Sequence, residues 1–223
     1  MARCATNALR ALPALDSSRV RPTPLLTERR KATTQQEIAL AAARLFAEHG
    51  AAGCTAEAIA RSAGVSLRTF YRYFRTKEDA VAPLFSGGVR HWVTELALSP
   101  PELSVPEALE HSARIALTPS AEYPATTFEW VRGLLRITPT EPDLLAVWHR
   151  VHHESELALA PVLGTLAGPG ADPLELRLAA AAANTAMRVA LETWAGTEQP
   201  PDRIAELGAR CIRELTAGLR LWA

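Results

Sequence analysis

The sequence predicts an all-α protein, with a three-helix N-terminal head followed by a six-helix domain. Apolar residues recur at intervals of three and four, the spacing of a helix face that packs against a core. No segment shows the strict polar–apolar alternation of a half-buried strand. With 223 residues, of which 48% are hydrophobic, the chain is long and apolar enough to bury a substantial core.

Charge divides the chain into a basic first third and an acidic remainder. Residues 1–80 contain 13 Lys and Arg against 7 Asp and Glu, whereas residues 81–223 contain 11 against 17. Although the formal net charge is zero, the first third of the chain is therefore basic enough to bind a polyanion.

The cysteines and the apolar residues follow no pattern of a metal site, a disulfide framework or a membrane span. The three cysteines are dispersed, and there is no run of 18 apolar residues. We expect a cytoplasmic protein.

The head is predicted over residues 33–80, after a basic arm of residues 1–32. The arm is expected to be disordered because it has too little apolar surface to fold alone. Two interpretations of it stay open, an extra contact to DNA and a tail without function. In the head, Thr34 and Glu37 form the pattern of a capping box, which places the start of the first helix there, and Gly50 ends it.

Two short helices joined by a tight turn follow in the head. Thr55 is expected to cap the second helix, and Ser66 the third. Between them Gly64 can adopt the left-handed conformation that such a turn requires. The pattern is that of a helix-turn-helix.

The stretch GVSLRTFYRYFRTKED, residues 64–79, places four aromatic residues among four cations. If a helix begins at Ser66, Phe70 and Phe74 lie four residues apart and anchor it to the core. The opposite face then presents arginine, threonine and tyrosine, which suit guanine, base edges and phosphate oxygens in a DNA major groove. Lys77, at the start of the next helix, could bind a phosphate. The alternative interpretation is an ordinary solvated helix surface.

These residues resemble the TetR-type one-component transcriptional regulators of bacteria. The resemblance rests on EIALAAARLFAEHG at residues 37–50 and on CTAEAIARSAGVSLRTFYRYFRTKEDAV at residues 54–81. It implies a three-helix DNA-binding head, a six-helix ligand-binding domain, and a homodimer formed by the last two helices on a double-stranded operator. The candidate DNA contacts are Thr55, Ser66, Leu67, Arg68, Thr69, Tyr71, Arg72, Tyr73 and Lys77.

Six helices are expected in residues 81–223, separated mainly by proline. The first is expected to start at Thr76 and to kink at Pro83 on its way to Leu98. The next three span about 104–118, 125–138 and 143–166. The last two carry the most regular apolar stripes, from Leu176 to Trp194 and from Ile204 to Trp222. Their length, with the small residues of the run AAAAAN at 179–184, favours a four-helix interface between two copies.

Aromatic and histidine side chains of this second domain are candidate contacts to a small-molecule effector of apolar or aromatic character. They are Trp92, Phe128, Trp130, Trp148, His149 and His152. Core filling is an equally good interpretation of each aromatic. Arg132 and Arg136 are possible polar contacts. His149, His152, His153 and Glu156 share helical spacing, so a metal site is a minor alternative; we predict neither a metal nor a cofactor.

The leading hypothesis is a homodimeric repressor released from a palindromic operator by a small molecule. The alternative is a helical small-molecule or metal-binding protein whose head does not act on DNA. An enzyme has only the histidine cluster in its favour, since no nucleophile motif accompanies it; we therefore predict no catalytic residues.

Overall fold

A computed structural model describes residues 26–121 and 123–217, and the prediction of an all-α fold is confirmed. Nine α-helices occur in the described part: α1 Leu26–His49, α2 Ala56–Ser62, α3 Leu67–Tyr73, α4 Ala82–Ala97, α5 Val105–Ala116, α6 Ala125–Ile137, α7 Pro142–Ala167, α8 Pro173–Ala195 and α9 Ile204–Thr216. Three short 3-10 turns accompany them, at Glu78–Val81, Thr138–Thr140 and Pro201–Arg203. Helices α1 to α3 form the head, and α4 to α9 form what we call the body.

The first helix begins earlier than predicted. It starts at Leu26 and runs through Thr34, so the expected capping box at Thr34 and Glu37 is not the helix terminus. Residues 26–32, LTERRKA, are mostly good helix formers, so helix propensity extends α1 toward its N-terminus without an apolar stripe in the sequence. The other predicted arm residues, 1–25, lie outside the described part of the chain.

The head is held together by fully buried apolar side chains from each of its three helices. Ile38 and Phe46 of α1, Ile59 of α2 and Phe70 of α3 have no exposed surface. The turns behave as predicted: the Thr55 and Ser66 side chains accept hydrogen bonds from Ala58 N and Thr69 N, at 3.2 and 3.1 Å. Gly50 and Gly64 have φ of 72° and 68°, where a side chain would be strained. The helix-turn-helix is therefore encoded locally.

A capping box joins the head to the body. Asp79 N donates to Thr76 Oγ1 at 3.1 Å, and Thr76 N donates to the Asp79 carboxylate at 3.3 Å. The predicted helix start at Thr76 thus holds, but its first turn is a 3-10 turn. Pro83 does not kink a long helix; it occupies the first turn of α4, where its missing N–H leaves no intrahelical bond unmade.

The body packs its helices around a core that includes the fully buried indoles of Trp92 and Trp194. Alanines buried on the inner face of α8, such as Ala179, Ala183 and Ala186, leave room for the neighbouring helices α7 and α9. Ion pairs tie α5 to α9, with Arg114 3.0 Å from Glu206. Within the described residues, no helix has the length and apolarity needed to cross a membrane.

Candidate nucleic-acid interface and ligand cavity

Helix α3 has one face buried in the head and one face open to solvent. Phe70 and Phe74 lie inward, with their ring centroids 5.6 Å apart. Arg68, Tyr71 and Arg72 are exposed, and the Tyr71 side chain is 53% accessible although it is a large aromatic. An exposed tyrosine between two arginines on a firmly anchored helix is the arrangement that a major-groove contact requires.

The other predicted contacts on or beside α3 have partners inside the head. Ser66 Oγ donates to Thr69 Oγ1 at 3.0 Å, so both hydroxyls serve the start of the helix. The Arg72 guanidinium lies 4.8 Å from the Tyr73 ring centre and donates to its hydroxyl at 3.1 Å. Leu67 is half-buried against the core. The side chains most free to reach DNA are therefore Arg68 and Tyr71, whereas Arg72 is exposed but would have to share its donors with Tyr73.

Lys77 links the start of the body to the turn after α1 through hydrogen bonds. Its ammonium group donates to the carbonyl oxygens of Ala51 and Cys54, at 2.7 and 3.0 Å, and lies 3.6 Å from the Glu78 carboxylate. An ammonium group has three donors, so a phosphate would have to compete for this group. The assignment of Lys77 as a phosphate contact stays a prediction.

The body encloses an apolar cavity of about 60 Å³. None of the described residues that line it carries Lys, Arg, Asp or Glu side chains. Its lining comprises Leu84, Phe85, Gly88, Val89, Trp92, Ala116, Leu117, Tyr123, Thr127, Phe128, Val131, Trp148, His152, Ser155, Asn184, Met187 and Leu191. Typical ligand pockets measure about 300–1,000 Å³, so a ligand of ordinary size would have to widen this one.

The polar side chains of the cavity wall are positioned by one another. Asn184 Nδ2 donates to the backbone oxygen of His152 at 3.0 Å, which turns Asn184 Oδ1 toward His152 Nδ1, 3.2 Å away. Burial lowers the pKa of His152 to about 4, since the charged imidazolium would lose its hydration. His152 is therefore neutral at pH 7, and it donates through Nδ1.

The two tryptophans of the cavity wall donate their indole N–H groups to other protein side chains, so these groups are not available to a ligand. Trp148 donates to Glu192 at 2.7 Å, and Trp92 donates to Ser112 Oγ at 3.1 Å. The Phe85 ring packs edge-on against Trp148, with centroids 4.8 Å apart. The indoles thus contribute apolar surface to the cavity and no donors.

Comparison with known proteins gives a match in the head. Residues 32–82 match the family model described as bacterial regulatory proteins of the tetR family. The resemblance to TetR-type regulators is confirmed. No curated protein sequence matches the chain.

Solved structures of bacterial regulators, one of them assigned to the TetR family, share the fold of most of the chain. A protein from Syntrophomonas wolfei assigned to the TetR family has a TM-score of 0.57 at 17% identity, over 86% of this chain and 100% of that one. GusR of Salmonella enterica has a TM-score of 0.54 at 15% identity, over 84% and 95%. The fatty acid degradation regulator FadR of Bacillus halodurans has a TM-score of 0.51 at 22% identity, over 84% and 96%. The TetR fold therefore extends from the head through the body.

Four of the six predicted ligand contacts line the cavity of this TetR-type body: Trp92, Phe128, Trp148 and His152. The prediction needs correction for Trp130 and His149. Trp130 lies two residues from Phe128 and so faces the other way, toward Leu40 and Arg44 of α1. His149 is exposed beside Trp148. All six residues lie on helices that line the cavity, but local spacing does not determine which face of each helix points inward.

Arg132 and Arg136, the possible polar contacts to the ligand, bind the backbone of a loop instead of lining the cavity. Arg132 stacks 3.9 Å from the Trp194 ring centre and donates to the Gln199 oxygen. Arg136 donates to the backbone oxygens of Ala195 and Thr197, at 2.7 Å each. Both therefore hold the chain between α8 and α9.

The histidine cluster is divided between the interior and the surface. His152 lies in the cavity wall, whereas His149 and His153 are exposed. Among the described residues, no three His, Cys, Asp or Glu side chains are grouped as metal ligands.

Sequence reasoning missed Ser155, Asn184 and Met187. For Ser155 the signal was present, because Trp148, His152 and Ser155 follow the i, i+4, i+7 spacing of one helix face. Asn184 and Met187 come from α8, and their meeting with α7 has no signal in local spacing.

Proposed function

We propose that this protein is a homodimeric transcriptional repressor that binds a palindromic double-stranded DNA operator and is released by a small molecule, acting in the cytoplasm. The observation that carries the proposal is the exposed set Arg68, Tyr71 and Arg72 on α3, whose other face is anchored by Phe70 and Phe74. The TetR fold supports a DNA-binding regulator. The cavity in the body supports a ligand that controls it.

An apolar stripe on α8 supports the dimer. Leu174, Leu178, Ala181, Thr185 and Val189 follow one helix face, and its leucines and valine are exposed. On α9, Leu207 and Cys211 are half-buried and Leu215 is 46% exposed, at four-residue spacing. A second copy would bury both stripes and would hold two recognition helices on half-sites one turn of DNA, about 34–36 Å, apart.

One of the helices that line the cavity also forms an ion pair with the turn that joins the head to the body. Helix α7 contributes Trp148 and His152 to the cavity, and between them Arg150 lies 2.5 Å from the Asp79 carboxylate. Asp79 is the residue that caps the start of the body, five residues after Phe74. A ligand that widens the cavity would move α7 and thereby Asp79 and the head. Ligand and operator would then favour different positions of the head.

Arg150→Ala is expected to weaken the coupling between ligand and operator. The Asp79–Arg150 pair is partly exposed, so its loss should cost less than about 1 kcal/mol of stability and leave ligand affinity unchanged. The ligand-induced loss of operator affinity should shrink several-fold, measured by fluorescence anisotropy with and without ligand. Arg114→Ala, which breaks a similar pair inside the body, is the matched control. Equal coupling in both variants would contradict this route.

Arg68→Ala and Tyr71→Ala are each expected to weaken operator binding by about 1–3 kcal/mol. Both side chains are exposed on α3, so the variants should fold normally. The measurement is anisotropy titration of an operator recovered by selection from random DNA. Arg203→Ala, which removes an exposed cation of the body, serves as the control and should leave affinity unchanged. Unchanged affinity in both head variants would remove α3 as the recognition helix.

The cavity equally favours a second candidate, a helical small-molecule carrier whose head does not act on DNA. The two proposals differ in one result, since only the regulator binds DNA with sequence preference. A carrier would still bind its ligand, and ligand binding would be the same in the presence of any duplex.

A further inference from the structure

Two buried polar atoms in the cavity wall have no hydrogen-bond partner. They are Nε2 of His152 and Oγ of Ser155, on side chains that are 6% and 1% exposed. The two residues stand three apart on α7 and therefore share a face of the helix. A buried polar group without a partner is costly, so a bound molecule that satisfies both atoms gains affinity from this pair.

The hydrogen-bonding role of His152 Nε2 follows from Asn184. A backbone oxygen can only accept, so the Asn184 group bonded to the His152 carbonyl must be the NH₂ group. Asn184 Oδ1 is then the acceptor for His152 Nδ1–H. In a neutral imidazole with its proton on Nδ1, Nε2 carries a lone pair and accepts. Ser155 offers a hydroxyl that donates or accepts.

The rest of the cavity wall disfavours a charged ligand, because a buried charge would have no partner there. Its described lining has no cation to pair with a carboxylate and no acid to pair with an amine. A carboxylate beside Nε2 would face another lone pair. Apolar surface from Phe85, Trp92 and Trp148 surrounds the pair instead.

We propose that the effector is an uncharged apolar or aromatic molecule bearing a hydroxyl group, an alcohol or a phenol, which donates to His152 Nε2 and accepts from Ser155 Oγ. The inference rests on the proposed function of the body as the ligand-binding domain. Because the cavity measures about 60 Å³, the ligand must displace wall side chains, and the unbranched Met187 is the most adaptable of them.

The test compares 4-fluorophenol, 4-fluoroanisole and 4-fluorobenzoate, which share a fluorinated ring and differ in the polar group. Fluorine NMR titration of the dimeric full chain at pH 7.5, without DNA, measures even weak dissociation constants. The phenol should bind about ten-fold more tightly than the anisole, which cannot donate, and the benzoate should bind no better than the anisole. Equal binding of phenol and anisole, tighter binding of benzoate, or no binding by any probe would overturn the proposal.

Two variants assign the preference to the proposed atoms. Ser155→Ala changes one buried atom and should reduce phenol affinity several-fold. Anisole affinity should fall by no more than that, because its ether oxygen can also accept from Ser155 Oγ but is the weaker acceptor. His152→Leu should abolish the preference for phenol, and its thermal unfolding would report whether it folds. Unchanged phenol affinity in Ser155→Ala, or a preference for phenol that survives in folded His152→Leu, would contradict the assignment.

Failure of this inference and failure of the proposed function give different results. The probes are titrated without DNA, so their ranking does not depend on any operator. Phenol-selective binding with no effect on operator affinity would support the assignment of a hydroxyl-bearing ligand to the cavity and refute ligand-controlled release. Sequence-specific DNA binding with no phenol preference would do the reverse.

Discussion

Replacing Leu178 with Glu is expected to convert the proposed dimer into a monomer of 24.1 kDa. Leu178 is 45% exposed in the single chain and lies within the apolar stripe of α8 that we propose as the interface. Two copies would place two carboxylates in a dehydrated contact without partners, which is strongly unfavourable. Without the second head, operator binding should weaken by at least about a hundred-fold, since linked binding sites gain about 10²–10⁴ in affinity.

Equilibrium sedimentation measures the mass of this variant, and anisotropy measures its operator affinity. Leu98→Glu is the matched control, because Leu98 is a similarly exposed leucine that lies at the end of α4, outside the stripe. The control should remain dimeric with unchanged affinity. A dimeric Leu178→Glu variant, or a monomeric unmodified protein, would show that the stripe is not the interface.

Phe70→Ala is expected to destabilise the protein by about 3–5 kcal/mol, the usual cost of removing a fully buried phenylalanine. Phe70 has no exposed surface and packs against Phe74, so the truncation leaves a cavity in the small core of the head. Denaturant unfolding followed by circular dichroism measures the change. Operator binding should fall as well, because α3 loses the anchor that orients its exposed face.

The neighbouring variant Tyr71→Ala separates the two faces of α3. Its side chain is 53% exposed, so its loss should change stability by less than about 1 kcal/mol while operator affinity falls. This result would assign Phe70 to the stability of the fold and Tyr71 to operator binding. Equal destabilisation by both substitutions would contradict the division of the helix into a buried and a binding face.

The head was predictable because its determinants are local. Thr55 and Ser66 make the expected cap hydrogen bonds, Gly64 has the expected positive φ, and Phe70 and Phe74 are buried as their spacing indicated. Each of these features depends on residues within about four positions. The start of α1 was missed because residues of high helix propensity extend a helix without any apolar signal in the sequence.

The cavity was only partly predictable because its geometry depends on which helices meet. Local spacing puts Phe128 and Trp130 on different faces of α6, but only the packing of α6 against α1 decides which face borders the cavity. The pairing of His152 with Asn184 joins residues 32 positions apart on α7 and α8. Likewise the bond from Lys77 to the Ala51 carbonyl closes a loop that sequence patterns do not describe.

Selection from a random-sequence DNA pool tests whether this protein is a dimeric, sequence-specific DNA-binding regulator. A dimer with two recognition helices should enrich an inverted repeat with half-site centres one helical turn, or a multiple of it, apart. Affinity for the enriched duplex should fall steeply with rising salt, because cations of the head displace counterions from phosphates. The Arg68→Ala/Tyr71→Ala double variant should lose the enrichment. A pool without any enriched sequence, from protein shown to be folded and dimeric, would contradict the proposed DNA-binding function and favour a ligand carrier.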